Sequence, residues 1–254
     1  FVPRDIERNK IVQMSIYGAE IIAIKGTYDD ANRLATQAAE IYNWALVNIN
    51  VRPYYVEGSK TLAYEVCEQL GWIPPDRAIV PTASGALLCA LHKGFDEFHR
   101  LGLIEKNEVK LCSAQPFGCS PVVTAFKSKS PDVSPIEYPK TVAKSLAIGD
   151  PADGKYALKK INDSGGVAES ATDAEIVEAI QLLAKTEGIY TEPAGGVVIA
   201  VLKKLVEQNE ISKDEKVVCY ITGNGLKTPE ATSTKFPKLI EIEPDLDALS
   251  AVIS

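Results

Sequence analysis

Short runs of β-branched and other apolar residues alternate along this chain with longer segments of helical periodicity. The apolar runs are bounded by turn residues and predict strands at residues 20–24, 45–48, 78–80, 109–112 and 217–221. The helical segments cover residues 29–42, 59–70, 85–101, 173–186 and 194–208. Such alternation is typical of an α/β protein with open, mostly parallel sheets, right-handed crossovers and flanking helices.

The composition argues against several classes of function. The 254 residues carry a formal net charge of −7 with scattered Lys and Arg, whereas nucleic-acid binding needs a concentrated basic face. No apolar run approaches the roughly 20 residues of a membrane span, so we expect a soluble protein. His92 and His99 share one helical segment, and the cysteines form no CxxC pair. We therefore predict no metal centre and five free thiols.

In open α/β sheets, ligands bind beyond the carboxyl ends of the strands. That rule selects the loops at residues 80–87, 114–119 and 222–227. The proline-rich stretch at residues 117–153 is also of interest, because a loop region of that length is usually functional or wraps the surface.

The loop after the strand at residues 78–80 is built from small residues, Thr82, Ala83, Ser84, Gly85 and Ala86. Small side chains let backbone N–H groups approach an anion, and the following helix N-terminus favours negative charge. The loop has no basic residue, which suits the phosphate of a cofactor better than a triphosphate. The alternative is a tight strand–helix turn, which needs small residues too.

Two further glycine-containing loops have both a structural and a functional interpretation. Thr222 follows an apolar strand and is followed by two glycines, which allow close backbone approach to a ligand or simply form a turn. Residues 188–196 are best explained as a plain loop, with Gly188 ending one helix and Pro193 starting the next.

Five segments in order carry a family resemblance. They are Phe-Val-Pro at residues 1–3, Gly-Thr-Tyr-Asp-Asp at 26–30, Glu-Gly-Ser-Lys-Thr at 57–61, Glu-Pro-Ala at 192–194 and Thr-Gly-Asn-Gly-Leu-Lys at 222–227. Together they resemble the threonine synthases, within the fold-type-II pyridoxal-phosphate enzymes that also include threonine dehydratase, cysteine synthase and the tryptophan synthase β chain.

The resemblance implies a cofactor, pyridoxal 5′-phosphate, and roles for named residues. The backbone amides of Thr82, Ala83, Ser84, Gly85 and Ala86 would hold its phosphate, and the hydroxyl of Thr222 would face its pyridine nitrogen. The substrate would be O-phosphohomoserine, converted with water to threonine and phosphate. Its carboxylate and phosphate would be met by a set of polar side chains: Asn50, Arg52, Tyr55, Ser59 and Lys60.

Two departures from the family pattern affect these expectations. Many threonine synthases have an arginine at the position of Tyr55. We therefore expect the substrate phosphate to be recognised by other residues in this chain. The family's Schiff-base lysine belongs to an N-terminal segment, and no lysine of this chain matches that motif, so no catalytic residue is assigned. We expect an N-terminally truncated chain that is inactive alone, with residues 1–52 in a small domain and 53–254 in most of a large one.

The resemblance also implies a cytoplasmic or plastid location and a homodimer for the complete protein. Tyr55 leaves a threonine or serine dehydratase, or a cysteate-synthase-like enzyme, as an alternative of the same superfamily. A non-catalytic binding module is the alternative from a different class, because the lysine is not found in this chain.

Overall fold

Two parallel sheets organise the chain in the computed structural model, which describes residues 1–48, 53–232 and 239–253. The smaller sheet pairs β1 (Val2–Pro3) with β2 (Ala23–Ile24). The larger sheet consists of β3 (Arg77–Pro81), β4 (Lys110–Pro116), β5 (Ala168–Ala171) and β6 (Val217–Cys219). Its strand order is β5-β4-β3-β6, and every neighbouring pair is parallel. The predicted α/β class with parallel sheets is confirmed.

Helices connect and cover the strands. In chain order they are α1 (Arg8–Ser15), α2 (Tyr28–Tyr42), α3 (Pro53–Ser59), α4 (Thr61–Gln69), α5 (Ala86–Arg100), α6 (Pro121–Lys127), α7 (Gly154–Asp163), α8 (Asp173–Glu187), α9 (Pro193–Glu207) and α10 (Leu246–Ser250). In the described ranges, no helix is long and apolar enough to cross a membrane. The boundary expected at residue 52 falls outside the described residues, so the division into two domains stays a prediction.

Each face of the larger sheet is buried by its own group of helices. On one face, Val80 and Leu111 pack with Leu91 and Phe95 of α5. The other face buries Ile79, Cys112 and Ala114 against α9 and α8. Successive strand residues point to opposite faces, so a strand covered on both sides is buried at every residue. This explains why β3 is a continuous buried run.

Local signals fixed several helix ends. Thr172 and Glu175 form a reciprocal capping box at the start of α8, and Gly188 ends that helix with φ of +69°. Both features follow from the sequence. The helix α2 begins at Tyr28, one residue before the predicted start at residue 29. Its capping residue is Thr27, whose side chain forms a capping box with Asp30.

Two differences from the prediction have physical explanations. Residues 45–48 form no strand, and Val47 is 83% exposed, because the chain leaves α2 through a left-handed Asn43 with no partner strand beside it. The strand β5 was missed since its Ala-Glu-Ser-Ala sequence has no β-branched residue; Glu169 is buried there in a 2.6 Å ion pair with Lys127. The sequence pattern also does not predict α1, α3, α6, α7 and α10.

All five cysteines are free thiols, as predicted. Burial raises the pKa of Cys67 to about 11 and that of Cys89, Cys119 and Cys219 to about 12. Only the thiolate is nucleophilic, so we expect the native protein to react slowly with Ellman's reagent near pH 8 and the unfolded protein to titrate five thiols. Rapid modification of the native chain, or fewer than five thiols after unfolding in guanidinium, would contradict this.

Candidate functional site

The loops that follow β3 and β6 lie at the same edge of the larger sheet. The two strands are parallel neighbours, and pairing continues past β6 with Tyr220 N–H donating to Ile79 O at 3.1 Å. On the other side of β3, Thr82 N–H donates to Ala114 O at 2.9 Å. The geometry therefore brings the loop at Thr82 and the loop at Thr222 together, as the sequence predicted.

Thr82 is part of the sheet rather than of the open loop. Its side chain is 1% exposed, and its hydroxyl donates to Val80 O at 3.1 Å. Its amide is occupied by Ala114, so neither donor of Thr82 is directed to a ligand in this structure. The cofactor role of Thr82 stays a prediction. In the structure, Thr82 is hydrogen-bonded to β3 and β4 at the point where the loop begins.

Gly85 allows the loop to turn tightly into α5. Its φ is +94°, a conformation that L side chains rarely adopt. A Cβ at this position would lie 2.9 Å from the backbone oxygen of Asp153 and 3.0 Å from Cβ of Ala157. The same neighbouring segment is hydrogen-bonded to the loop, with Asp153 N–H donating to Ser84 O at 2.8 Å. The start of α7 therefore supports the loop from behind.

The loop presents backbone donors without partners. Among the described residues, no acceptor is found for the amides of Ala83, Ser84 and Gly85, and Ala86 N–H reaches only Ser84 Oγ at 3.4 Å. Ser84 and Gly85 are buried, and both precede the N-terminus of α5. Several converging N–H groups at a helix N-terminus form an anion site.

Two residues of this loop line a cleft of about 740 Å³, which also reaches Pro3 of the smaller sheet. Ala83 and Ser84 form part of its wall. The cleft is further lined by residues 3, 5–7 and 10, by Gly26, Thr27 and Tyr28, and by residues 139–141, 144, 145, 147 and 148. The last group belongs to the proline-rich stretch that was selected from the sequence.

The Thr222 loop is held against the start of α9 by main-chain contacts. Glu192 N–H donates to Gly223 O at 3.1 Å, and Gly225 N–H donates to Tyr190 O at 3.0 Å. Thr191 Oγ1 donates to the same Gly223 oxygen at 3.0 Å. Thr222 itself is exposed, so its hydroxyl is accessible at the sheet edge.

A buried ion pair completes this contact. Glu192 is 4% exposed, and its carboxylate lies 3.1 Å from Nζ of Lys227. A Cβ on Gly223 would lie 1.9 Å from Glu192 Oε1, so the carboxylate occupies the space that this glycine leaves open. The sequence of residues 188–196 predicts only a plain loop and does not reveal this pair. The signal was an acidic residue before Pro193 and a lysine after the two glycines.

A family model described as "Pyridoxal-phosphate dependent enzyme" matches residues 1–223. The chain belongs to this family.

Its curated relatives include the threonine synthase of Methanocaldococcus jannaschii, at 42% identity over 244 residues, and that of Methanosarcina acetivorans, at 38%. Both alignments cover 96% of this chain and 60% of the relative, so the chain spans about three fifths of the length of these proteins.

Solved structures support the same fold. The processed threonine deaminase isoform 2 of Solanum lycopersicum matches with a TM-score of 0.70 at 18% identity, covering 91% of this chain and 61% of that one. A diaminopropionate ammonia lyase of Escherichia coli matches with a TM-score of 0.71 at 19% identity, covering 90% and 62%. At these identities the likeness concerns the fold.

The cofactor of this pyridoxal-phosphate enzyme family fits the site. In the loop before α5, the amides of Ala83, Ser84 and Gly85 have no acceptor among the described residues, and a side chain at Gly85 would close the turn. Such a loop matches a phosphate monoester, which offers several acceptor oxygens and negative charge. The amides of Ala83, Ser84 and Gly85 are the groups that would hold it, with Ala86 and Thr82 at the two ends of the loop.

The predicted substrate residues do not line the cleft that contains Ala83 and Ser84, as far as the structure describes them. Asn50 and Arg52 lie outside the described residues. Tyr55 is 52% exposed on α3, and its carbonyl accepts a hydrogen bond from Ser59 Oγ at 3.1 Å. Their roles stay predictions.

Lys60 is engaged in a network of carboxylates. Its ammonium lies 2.5 Å from Glu57 and 2.6 Å from Glu97 on α5, and the residue is 7% exposed. Burial acts to lower the pKa of Lys60, but hydrogen bonds to both carboxylates outweigh it and the pKa lies above its ordinary value. The substrate role predicted for Lys60 is untested, and the structure shows this lysine joining the α3–α4 segment to α5.

Proposed function

We propose that this chain forms the cofactor-binding part of a threonine synthase-like lyase that converts O-phosphohomoserine and water to threonine and phosphate. The observation that carries the proposal is the placement of partner-free amides at Ser84 and Gly85 beside the accessible hydroxyl of Thr222 at one sheet edge. The relatives at 42% and 38% identity are named threonine synthases, which supports threonine as the product.

Each element would contribute a defined physical effect. Pyridoxal phosphate, when bound, withdraws electrons from the α-carbon of an attached amino acid. The amides at residues 83–85 would anchor its phosphate and so set its position over the sheet edge. A neutral hydroxyl at Thr222 would accept or donate one hydrogen bond at the pyridine nitrogen without holding a proton there, as a carboxylate would. This weakens electron withdrawal and suits a reaction that moves protons at several carbons.

The alternatives have less support. A dehydratase or cysteate-synthase-like activity was motivated by Tyr55, and the deaminases and lyases among the solved structures are similar in fold only. A non-catalytic binding module could use the same amides, but it is not favoured by the relatives at 42% and 38% identity, which are named as synthases. The homodimer and the cytoplasmic or plastid location stay predictions for the complete protein.

Phosphate release by the full-length protein tests the substrate. We expect release from O-phosphohomoserine together with threonine formation, and no comparable turnover of serine or threonine. Thr222→Ser should keep most of the activity because it keeps the hydroxyl. Thr222→Ala should lower kcat about tenfold, corresponding to a hydrogen bond of about 1.4 kcal/mol.

Thr186→Ala is the matched control, since its hydroxyl donates to Leu182 O on the exposed part of α8. Ammonia and ketoacid formation from threonine, without phosphate release from O-phosphohomoserine, would replace the proposal with a dehydratase.

A further inference from the structure

Three lysines line the cleft that contains Ala83 and Ser84. They are Lys10, Lys140 and Lys144. Two of the three are compensated by carboxylates of the same cleft. Lys10 Nζ lies 3.0 Å from Glu7, and Lys144 Nζ lies 3.0 Å from Asp5.

Lys140 differs from its neighbours. It is exposed, and no carboxylate of the described residues lies within ion-pair distance of its ammonium. The ionisable side chains lining the cleft therefore carry a surplus of one positive charge, in a protein whose net charge is −7. An uncompensated cation in an otherwise paired set points to a ligand that supplies the missing negative charge.

The backbone that carries Lys140 is fixed in place. Lys140 N–H donates to Gly118 O at 3.1 Å, and a Cβ on Gly118 would lie 1.8 Å from Lys140 O. The next residue, Thr141, donates from its hydroxyl to Asp173 at 2.7 Å, which joins the segment to the start of α8. Because this backbone is already held in place, the Lys140 ammonium can bind a ligand in the cleft without the conformational entropy cost of ordering a mobile loop.

The cleft thus holds two separate anion-binding features. Ala83 and Ser84 line the cleft, and their amides match one phosphate, which is the cofactor's. Lys140 also lines the cleft, and its ammonium, a point charge with three donors, matches a second anionic group. Under the proposed reaction, the substrate brings such a group as a phosphate monoester.

We propose that Lys140 binds the phosphate group of the substrate in this cleft and determines specificity for a phosphorylated amino acid. This inference rests on the proposed function. A phosphate group could also reach Lys140 from the cofactor, and the experiment separates the two sources.

The first experiment measures binding in the 254-residue chain without turnover. Pyridoxal 5′-phosphate is titrated by absorbance, and inorganic phosphate is then titrated into the cofactor-saturated chain by calorimetry. Lys140→Gln should raise the Kd for inorganic phosphate about tenfold or more, and Lys140→Arg should restore it to within about threefold. Lys144→Gln removes the same charge from a compensated lysine of the same cleft and should change this Kd less than threefold.

The second experiment uses the full-length enzyme and steady-state kinetics. Lys140→Gln should raise KM for O-phosphohomoserine by a similar factor with kcat largely kept. If wild-type enzyme does not turn over this substrate, the proposed function fails, while the phosphate titration still decides the role of Lys140.

Three results would overturn the inference. They are an unsubstituted chain with no phosphate site beyond the cofactor's, equal effects of Lys140→Gln and Lys144→Gln, and a Lys140→Gln variant that loses affinity for the cofactor instead. The last would assign Lys140 to the cofactor phosphate.

Discussion

Replacement of Gly85 by alanine is expected to lower the affinity for pyridoxal 5′-phosphate by about 100-fold. The new Cβ meets the backbone of Asp153 at 2.9 Å, and backbone cannot move aside as a flexible side chain can. The positive φ of +94° adds strain of about 1–3 kcal/mol. A loop that shifts to relieve both effects loses the alignment of its amides, and two lost charge-assisted hydrogen bonds of about 1.5 kcal/mol each amount to this factor.

Gly71→Ala is the matched control for Gly85→Ala. Gly71 also has a positive φ, of +73°, but nothing lies within 4 Å of a Cβ built there. Both variants should lose stability from backbone strain, and only Gly85→Ala should lose cofactor affinity. The measurements are urea unfolding and an absorbance titration with the cofactor. Wild-type affinity in Gly85→Ala would show that this loop does not hold the phosphate.

Replacement of Lys227 by methionine is expected to lower the free energy of unfolding by about 3 kcal/mol. The change leaves the Glu192 carboxylate, whose side chain is 5% exposed, without its cation. Breaking a buried pair by removing one partner is costly because the remaining charge is desolvated and uncompensated. The effect should be at the lower end of the usual range, since the Lys227 side chain is 40% exposed and water reaches it.

A double substitution separates the effect of the unpaired Glu192 charge on stability from the effect of losing the packing of the Lys227 side chain. Adding Glu192→Gln to Lys227→Met removes the stranded charge and should recover part of the lost stability. Lys203→Met is the control, because Lys203 forms a 3.8 Å pair with Glu207 and both side chains are largely exposed. Equal stability of Lys227→Met and Lys203→Met would mean that the buried pair contributes nothing.

The same substitution should loosen the Thr222 loop. Glu192 supports Gly223 both through its carboxylate and through its backbone N–H. Amide hydrogen exchange at Gly225, whose N–H donates to Tyr190 O, should therefore accelerate in Lys227→Met and stay unchanged in Lys203→Met. Unaltered exchange would separate the ion pair from the position of this loop.

The sequence by itself determined features that depend on neighbouring residues. Strand and helix alternation predicts a parallel sheet because parallel strands need crossover helices. Three or four adjacent residues are enough to indicate the capping box of Thr172 and Glu175. The same holds for the left-handed Gly188 at the end of α8. The small residues at 82–86 followed by a helical segment indicated the anion loop for the same reason, since both the turn and the helix start are local.

Only the tertiary structure decided which polar groups form hydrogen bonds or ion pairs within the protein and which remain free to bind a ligand. Lys60 was predicted to meet the substrate, and the fold pairs it with Glu97, which lies 37 residues away. Thr82 was expected to line the loop, and the sheet takes up both of its donors. Glu169 of β5 is paired with Lys127, which lies 42 residues away in the sequence. The partners of Lys60 and Glu169 lie in distant segments, so neighbouring residues cannot indicate them and packing of the fold decides them. The same reason explains why Lys140, unremarkable in the sequence, is the uncompensated cation of the described cleft.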